Sequence, residues 1–397
     1  MKSQENLFQE SLKNEFSQCR HQGVCGGCSC RDKEYSEQLF DKKNRLIEMF
    51  GSLTQNTIGD IIPSPRLDFY RNRMDYVFGL VDGKVAVGLR EKGHFDRVVD
   101  ISRCLLFSQL GNEVIDFTRK YFQERPWILV YNQKTHQGVL RYIVMREGKT
   151  TNTFMVNLVT ADFQEDHIVD FADELKKHIK EVTVFVWSVN NGLSDQSSGN
   201  IEKTVFGPGY IKEEIFGKTY FISPNAFFQT NTYLLKNLCT YVMNAADKIV
   251  SDKSVRLYDL YCGGGGFAIL LADRFNDVVC IESNMNALID AKMNIKENDV
   301  ENLHLLNGKV EKIIHGLKIK KEDLVIFDPP RMGIMPKVAR KLNESSVDNI
   351  IYISCNPKTL KNDLSILSNA FEIKKIQPFD MFPHTEHIEL VASLSRK

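Results

Sequence analysis

From Ser254 onward the chain repeats a short apolar run, a turn and a helix-length segment, and this alternation constrains the fold more than any other feature. The runs VRLYDLY, VVCIES, LHLLNG, LVIFDPP and NIIYISC follow one another, and FEIKKIQPF and IELVASL close the chain without a clear helix between them. Apolar strands separated by helices pair in parallel, because each crossover helix must cover a face of the sheet. The two closing runs are expected to pair as an antiparallel hairpin. The fold class expected is α/β, with a Rossmann-like C-terminal domain built on a seven-stranded, mostly parallel sheet.

The rest of the chain reads differently. Four of the nine cysteines crowd into Cys19-x5-Cys25-Gly-Gly-Cys28-Ser-Cys30, ahead of a charged, helix-like segment from about Arg31 to Phe50. Between Gly51 and Phe221 come short strands with turn signals, among them DYVFGLVDGKVAVGLR around Asp82-Gly83 and TNTFMVNLVT, with an amphipathic helix near Ile168–Ile179. The stretch Asn190–Gly209, rich in Asn, Ser and Gly, is expected to be a mobile loop. Three consecutive regions follow from this: a cysteine-cluster segment over 1–50, a mixed α/β middle domain over 51–222, and the Rossmann-like domain over 223–397.

At 397 residues with 43% hydrophobic content, the chain can bury a large core. The first residues lack the apolar core of a secretory signal, and no 18 uncharged apolar residues run together, so a cytoplasmic protein without membrane association is expected. Fifty-one basic residues balance fifty-one acidic ones, so a nucleic-acid surface has to be a local patch. In a reducing cytosol the cysteines read as metal ligands, catalytic thiols or core residues and not as disulfides.

In VRLYDLYCGGGGF, Asp259 lies within the first parallel strand and Gly263 to Gly266 follow where strand gives way to helix. Glycine there lets the backbone approach a ligand closely. Glu282 ends the next strand 23 residues after Asp259, near the offset at which a carboxylate bonds ribose hydroxyls. An adenosine-containing ligand is indicated. The dinucleotide spacing G-x-G-x-x-G is not matched, which favours S-adenosylmethionine over a nicotinamide cofactor.

After the fourth strand, Asp328-Pro329-Pro330-Arg331 fixes an extended backbone at the strand's carboxyl end, where open α/β sheets bind ligands. The fifth strand ends in Ser354-Cys355-Asn356-Pro357, which puts a thiol at the equivalent place on its neighbour. The segment Phe382–Glu389 brings imidazoles and carboxylates toward the same mouth, and a cysteine with a nearby base is a recognised catalytic constellation.

The segments SPNAFFQTNT, LYCGGGGFAILLA, FDPPRMG, YISCNPKTL and FPHTEHIELVASL closely resemble the consecutive motifs of the RNA uridine C5-methyltransferases, and the resemblance extends back through YRNRMDYVFG and VVDISRC. It implies Cys355 as a nucleophile that adds to carbon 6 of uracil and Glu389 as the base that later removes the proton from carbon 5. It implies that Gln229, Tyr261, Gly263, Gly265, Glu282 and Asp328 serve the S-adenosylmethionine site, with Asp328 and Gln229 also near the target base. One departure stands out: where many methyltransferases carry an acid after the third strand, this chain has Asn307-Gly308-Lys309.

For the cysteine cluster, thiolates select zinc or iron–sulfur. Zinc would take Cys30 as its fourth ligand; the resemblance implies instead a [4Fe–4S] cluster held by Cys19, Cys25, Cys28 and Cys104. Basic residues nearby, among them Arg31, Lys33, Lys42, Lys43 and Arg45, are candidates for phosphate contacts. Longer family members begin with a small RNA-binding β-barrel, and the form expected here lacks it. The substrate expected is RNA, 23S rRNA ahead of tRNA, with the protein a monomer. The competing readings are an exocyclic-amine methyltransferase, which needs no thiol, and a non-catalytic iron–sulfur RNA-binding factor.

Overall fold

A computed structural model describes residues 19–51, 53, 57–250 and 254–397. The polar N-terminal stretch discussed above lies outside the described residues. The described residues form two compact units, each assembled from non-consecutive stretches: one from 19–32, 68–147 and 154–209, the other from within 33–67, 148–153 and 210–397. The expected division was three consecutive regions. The helix that follows the cysteine cluster, α1 (Tyr35–Phe50), groups with the C-terminal unit because Leu46 and Phe50 are part of that unit's core.

The first unit holds a mixed sheet of β1 (Arg73–Val81), β2 (Lys84–Arg90), β3 (Val98–Asp100), β4 (Leu140–Glu147), β5 (Phe154–Thr160), β6 (Val184–Val189) and β7 (Ile201–Phe206), in the order β3-β2-β1-β4-β5-β6-β7. Asp82 and Gly83 both take positive φ between β1 and β2, as a two-residue hairpin requires. Helix α2 (Gln109–Gln123) contacts β2, and α3 (Glu165–His178) links the parallel pair β5 and β6. The expected loop over 190–209 is largely built. Its second half is β7, paired antiparallel to β6, and its first half is tied down by the buried Arg141 guanidinium, which donates to the carbonyls of Asn190, Gly192 and Ser194 at 2.7 Å each. The polar composition there serves backbone hydrogen bonding, which a composition-based expectation of mobility does not anticipate.

The second unit opens with the hairpin β8 (Ile211–Ile215) and β9 (Lys218–Ile222), followed by α4 (Thr232–Ile249). Then come β10 (Arg256–Leu260), α5 (Gly266–Leu271), β11 (Asp277–Glu282), α6 (Met285–Glu297), β12 (Leu303–Asn307), α7 (Val310–Ile313), β13 (Leu324–Phe327), α8 (Pro336–Glu344), β14 (Asn349–Ser354), α9 (Pro357–Leu367), β15 (Phe371–Phe379) and β16 (Glu389–Arg396). The sheet order is β12-β11-β10-β13-β14-β16-β15. The strands from β12 to β14 pair in parallel, and β16 runs antiparallel to both β14 and β15. This is the seven-stranded, mostly parallel sheet with its closing hairpin.

Alternate residues serve opposite faces, as the two-residue period of a strand requires. Leu257, Val278, Cys280 and Ile326 pack with Leu234, Leu238 and Val242 of α4, while Tyr258, Val279, Val325 and Phe327 pack with Val338, Leu342 and Leu360. The strand order reverses between β10 and β13, so their carboxyl ends diverge and leave a crevice. In open α/β sheets that is where ligands bind.

Candidate active site

The glycine turn after β10 begins before the glycines. Tyr261 takes φ +68°, in the left-handed region, while the amides of both Tyr261 and Cys262 donate to the carbonyl of Ile281. The backbone thus stays attached to β11 while it reverses. A non-glycine residue held there marks a backbone over-determined by its surroundings, and such positions concentrate at functional sites. Gly263 follows at φ +54° and Gly265 caps α5 at φ +83°, where an added Cβ would meet the Ile269 side chain at 3.1 Å.

A cavity of about 780 Å³ opens over this turn, lined among others by Asp259, Tyr261, Gly263, Phe227, Gln229 and Asp328. Gly265 and Glu282 are not part of that lining. Glu282 acts on the turn itself: one carboxylate oxygen accepts from the amide of Gly263 at 3.1 Å and the other from the amides of Ser283 and Asn284 at 2.7 and 2.6 Å. Asn307, in the place where an acid is common, is exposed and donates toward the sulfur of Met285 at 3.2 Å.

Three cavity residues were given no site role from the sequence. Asp259 is fully buried, with one carboxyl oxygen lacking a hydrogen-bond partner, and its carboxyl is pushed up to about 8 by burial and by the carboxylates of Asp328 and Glu282. Asp290 and Asn294 lie one turn apart on the buried face of α6. Asp290 accepts from the amide of Ser223 at 3.0 Å and also from its hydroxyl. Asn294 accepts from the amide of Phe221 at 2.6 Å and donates to the carbonyl of Gly264 at 3.0 Å. Together they fasten the strand leading to Gln229 against the glycine turn. The signal was present: two polar residues at i and i+4 in phase with the buried Ala287 and Ala291 of an amphipathic helix.

The catalytic candidates converge on the carboxyl ends of β13 and β14. Gln229 donates from Nε2 to Oδ2 of the half-buried Asp328 at 3.0 Å, and desolvation pushes the Asp328 carboxyl up to about 7 against that stabilising bond. Asn356 and Thr359 both donate to the carbonyl of Arg331, at 2.9 and 3.3 Å, so the Asp-Pro-Pro-Arg turn is fixed to the turn that carries Cys355. Ser354 is opposite Leu390 in the β14–β16 register, which brings Cys355 across from Glu389 at the next step outward.

Glu389 is 1% exposed, one of its oxygens lacks a hydrogen-bond partner, and burial followed by the charge of Asp328 raises its pKa well above the usual carboxylate range. Cys355 is half-buried and its thiol is pushed up to about 12, first by burial, then by the carboxylates of Glu389 and Asp328, with Arg331 opposing. One thiol and two carboxyl groups therefore share a poorly solvated crevice in which they hold protons tightly. Of the imidazoles expected at this mouth, His387 meets Arg331 at 3.4 Å, whereas His384 turns toward Gln38 of α1, with 3.2 Å between its Nδ1 and the Gln38 amide nitrogen. The groups that bear electrostatically on the thiol are the carboxylates of Glu389 and Asp328 and the guanidinium of Arg331.

In the first unit, Cys19, Cys25, Cys28 and Cys104 line one cavity of about 390 Å³, from which Cys30 is absent. Burial and the neighbouring cysteines push the Cys25 thiol up to about 11 and the Cys28 thiol up to about 12. Among the described residues, no three or more His, Cys, Asp and Glu side chains already stand close enough to ligate a metal ion. Several proposed phosphate contacts are engaged within the protein: Arg31 pairs with Asp68 at 2.6 Å, Lys42 is buried against Asp380 at 2.6 Å, and Lys43 donates to the carbonyls of Ile58 and Gly59. Basic residues read only as a charge run hide this, because their partners are distant in sequence. Among the described residues, no helix is long and apolar enough to cross a membrane.

The family profile for tRNA (uracil-5-)-methyltransferases matches residues 34–397. A tRNA (uracil(54)-C(5))-methyltransferase of Pyrococcus furiosus is 38% identical over 98% of this chain and 88% of its own length. A protein of Caldanaerobacter subterraneus known only as an RNA methyltransferase is 35% identical over 96% of this chain and 85% of its own. Among solved structures, the Pyrococcus abyssi tRNA (uracil-54, C5)-methyltransferase in complex with S-adenosyl-L-homocysteine superposes with a TM-score of 0.77 at 34% identity, covering 93% of this chain and 84% of that one. The crevice between β10 and β13, the glycine turn and the Cys355 crevice thus stand in a chain that belongs to the tRNA (uracil-5-)-methyltransferase family, the S-adenosylmethionine-dependent methyltransferases of uracil C5 in RNA.

Proposed function

We propose that this enzyme methylates C5 of a uridine in a tRNA loop, through a covalent adduct between Cys355 and C6 of the base. The observation that carries the chemistry is the register that sets Cys355 opposite Glu389, with Asp328 beside both. The preference for tRNA over 23S rRNA rests on the Pyrococcus relatives, whose names specify uracil 54 of tRNA. It reverses the order expected from the sequence. The rRNA expectation leaned on features outside the Rossmann-like domain, whereas the tRNA reading leans on relatives that match nearly the whole chain.

The buried, electron-rich wall of the cavity suits S-adenosylmethionine, whose sulfonium and ammonium groups are cationic: Asp259 has an unpartnered oxygen there and Asp328 lines the same space. Gln229, Tyr261, Gly263, Gly265 and Glu282 would hold and shape its site. When bound, it supplies an electrophilic methyl group.

A uridine must leave its stack to reach the crevice. There the thiol of Cys355 gives its proton to water and its sulfur forms a bond to C6; the C5=C6 π pair moves toward O4 and makes C5 nucleophilic. Once C5 carries its methyl group it also carries a proton. The Glu389 carboxylate removes it, the C5–H pair re-forms the double bond, and the sulfur of Cys355 departs. Burial and the charge of Asp328 raise the Glu389 pKa, which makes its carboxylate a stronger base for that removal. The raised thiol pKa means that Cys355 rests as the thiol.

For the cysteine cavity we favour a [4Fe–4S] cluster on Cys19, Cys25, Cys28 and Cys104. The fit lies in the donor set: four thiols line one space, and those of Cys25, Cys28 and Cys104 are pushed toward the neutral form first by burial and then by neighbouring cysteines, an arrangement that a soft cation relieves. Its role would be structural.

The test is transfer of radiolabelled methyl groups to an unmodified tRNA transcript and to 23S rRNA, followed by nucleoside mapping. 5-Methyluridine in the tRNA supports the proposal. Labelling of rRNA alone overturns the tRNA assignment, and label on any atom other than C5 overturns the mechanism.

A further inference from the structure

Helix α1 carries three polar residues at i, i+4 and i+7, namely Gln38, Lys42 and Arg45, and all three reach the connection between β15 and β16. Two of them are buried, Gln38 at 2% and Lys42 at 3% exposure. A buried lysine is uncommon unless it is paired, and here it is. Its ammonium donates to Oδ1 of the fully buried Asp380 at 2.6 Å and to the carbonyl of Phe382 at 3.2 Å. Gln38 engages His384 at two places: its Oε1 accepts from the His384 amide at 2.9 Å, and its amide nitrogen meets the ring Nδ1 at 3.2 Å. His384 itself takes φ +65°, a backbone conformation that a β-carbon disfavours. Arg45 donates to the carbonyl of Glu386. The connection is therefore gripped at Asp380, Phe382, His384 and Glu386 by one face of one helix.

What this connection joins gives the grip its consequence. Phe379 ends β15 and Glu389 begins β16, and the two stand opposite each other in register. One buried carboxylate oxygen of Glu389 lacks a hydrogen-bond partner, so no hydrogen bond to that oxygen fixes the direction of the carboxylate. We infer that Gln38 and Lys42 are positioning residues for proton abstraction: they hold the 380–387 connection so that the Glu389 carboxylate points at the substrate carbon beside Cys355. The inference rests on the covalent mechanism proposed above. It assigns a role in the chemistry to a helix lying more than 300 residues earlier in the sequence, one that the sequence reading joined to the cysteine cluster and to phosphate binding.

A merely structural grip and a positioning grip differ in which step they disturb. The variants are Gln38→Leu and the charge-neutral pair Lys42→Met with Asp380→Asn, which removes the ion pair without leaving either charge buried alone. Each is compared with the parent for thermal unfolding, for adduct yield with 5-fluorouridine tRNA, and for adduct standing at steady state on ordinary tRNA. In the fluorinated substrate no C5 proton can be removed, so its adduct reports addition and methylation alone. The expected result is near-parental adduct yield on fluorinated tRNA, turnover on ordinary tRNA lower by roughly 10- to 100-fold, and a denaturation-resistant protein–tRNA adduct that accumulates on ordinary tRNA. Variants that remain folded with parental turnover overturn the inference. So does an equal loss of adduct on fluorinated tRNA and of turnover, because the helix then holds the whole crevice and not the base. If the parent enzyme itself forms no adduct with fluorinated tRNA, the covalent mechanism fails and this inference fails with it.

Discussion

The amide nitrogen of Gln229 donates to Oδ2 of Asp328 at 3.0 Å, across 99 residues of sequence, and this bond links the segment after the β8–β9 hairpin to the turn that fixes Cys355. The bond favours the ionised form of Asp328 against a desolvation that raises its pKa to about 7. Gln229→Leu removes that help and raises the Asp328 pKa further. The acidic limb of the kcat/KM profile should move to higher pH by about one unit, the equivalent of a lost hydrogen bond to a charged group. A pH–rate series on a tRNA transcript checks this, and an unmoved limb would separate Asp328 from the rate-determining protonation.

Cys355→Ala should abolish turnover and leave S-adenosylhomocysteine binding, measured by calorimetry, near parental strength, since the thiol is not part of the cavity lining around the glycine turn. Residual 5-methyluridine formation by this variant would remove the covalent route.

Glu389→Gln should slow product release from the adduct by roughly 10²–10⁴-fold, the usual contribution of a positioned general base. A stable protein–tRNA band on a denaturing gel is the expected signature. If rate falls without such a band, the residue acts before addition instead.

Desolvated carboxyl groups make the folded enzyme sensitive to alkali. Asp259 and Asp328 titrate near about 8 and about 7 when folded, whereas an unfolded aspartate titrates near about 3.9. Between these values the folded chain binds more protons than the unfolded one, so the contribution is complete below the unfolded pKa and is lost as pH rises toward 8. Urea midpoints should fall from pH 5 to pH 8, and Asp259→Asn, which cannot ionise, should flatten the fall. A parental slope in that variant would mean Asp259 titrates normally.

Gly265→Ala tests the cofactor turn. A side chain at φ +83° costs about 1–2 kcal/mol, and its Cβ would also press on Ile269 at 3.1 Å, whereas at Gly263 the same change meets nothing within 4 Å. The Gly265 variant should therefore lose more thermal stability than the Gly263 variant. Equal losses would show that the Ile269 contact relaxes freely.

The sequence by itself determined the C-terminal sheet and the local motifs on it. Strand periodicity, helix-length spacers and the glycine turn are all short-range patterns, and a parallel sheet forces such turns to its carboxyl edge. That is why Cys355, Asp328 and the glycine run were legible at residue level, and why Asp290 and Asn294 were legible in principle from their phase on α6. The tertiary structure alone decided the rest, because it depended on partners far apart in the chain. Lys42 reads as a surface charge until Asp380 is seen beside it, 338 residues away. The stretch after Asn190 reads as a mobile loop until Arg141 is found bonded to its carbonyls. Local sequence encodes the conformations a segment favours, but which charges are neutralised and which backbone groups are satisfied is settled only when distant segments pack and water is excluded between them.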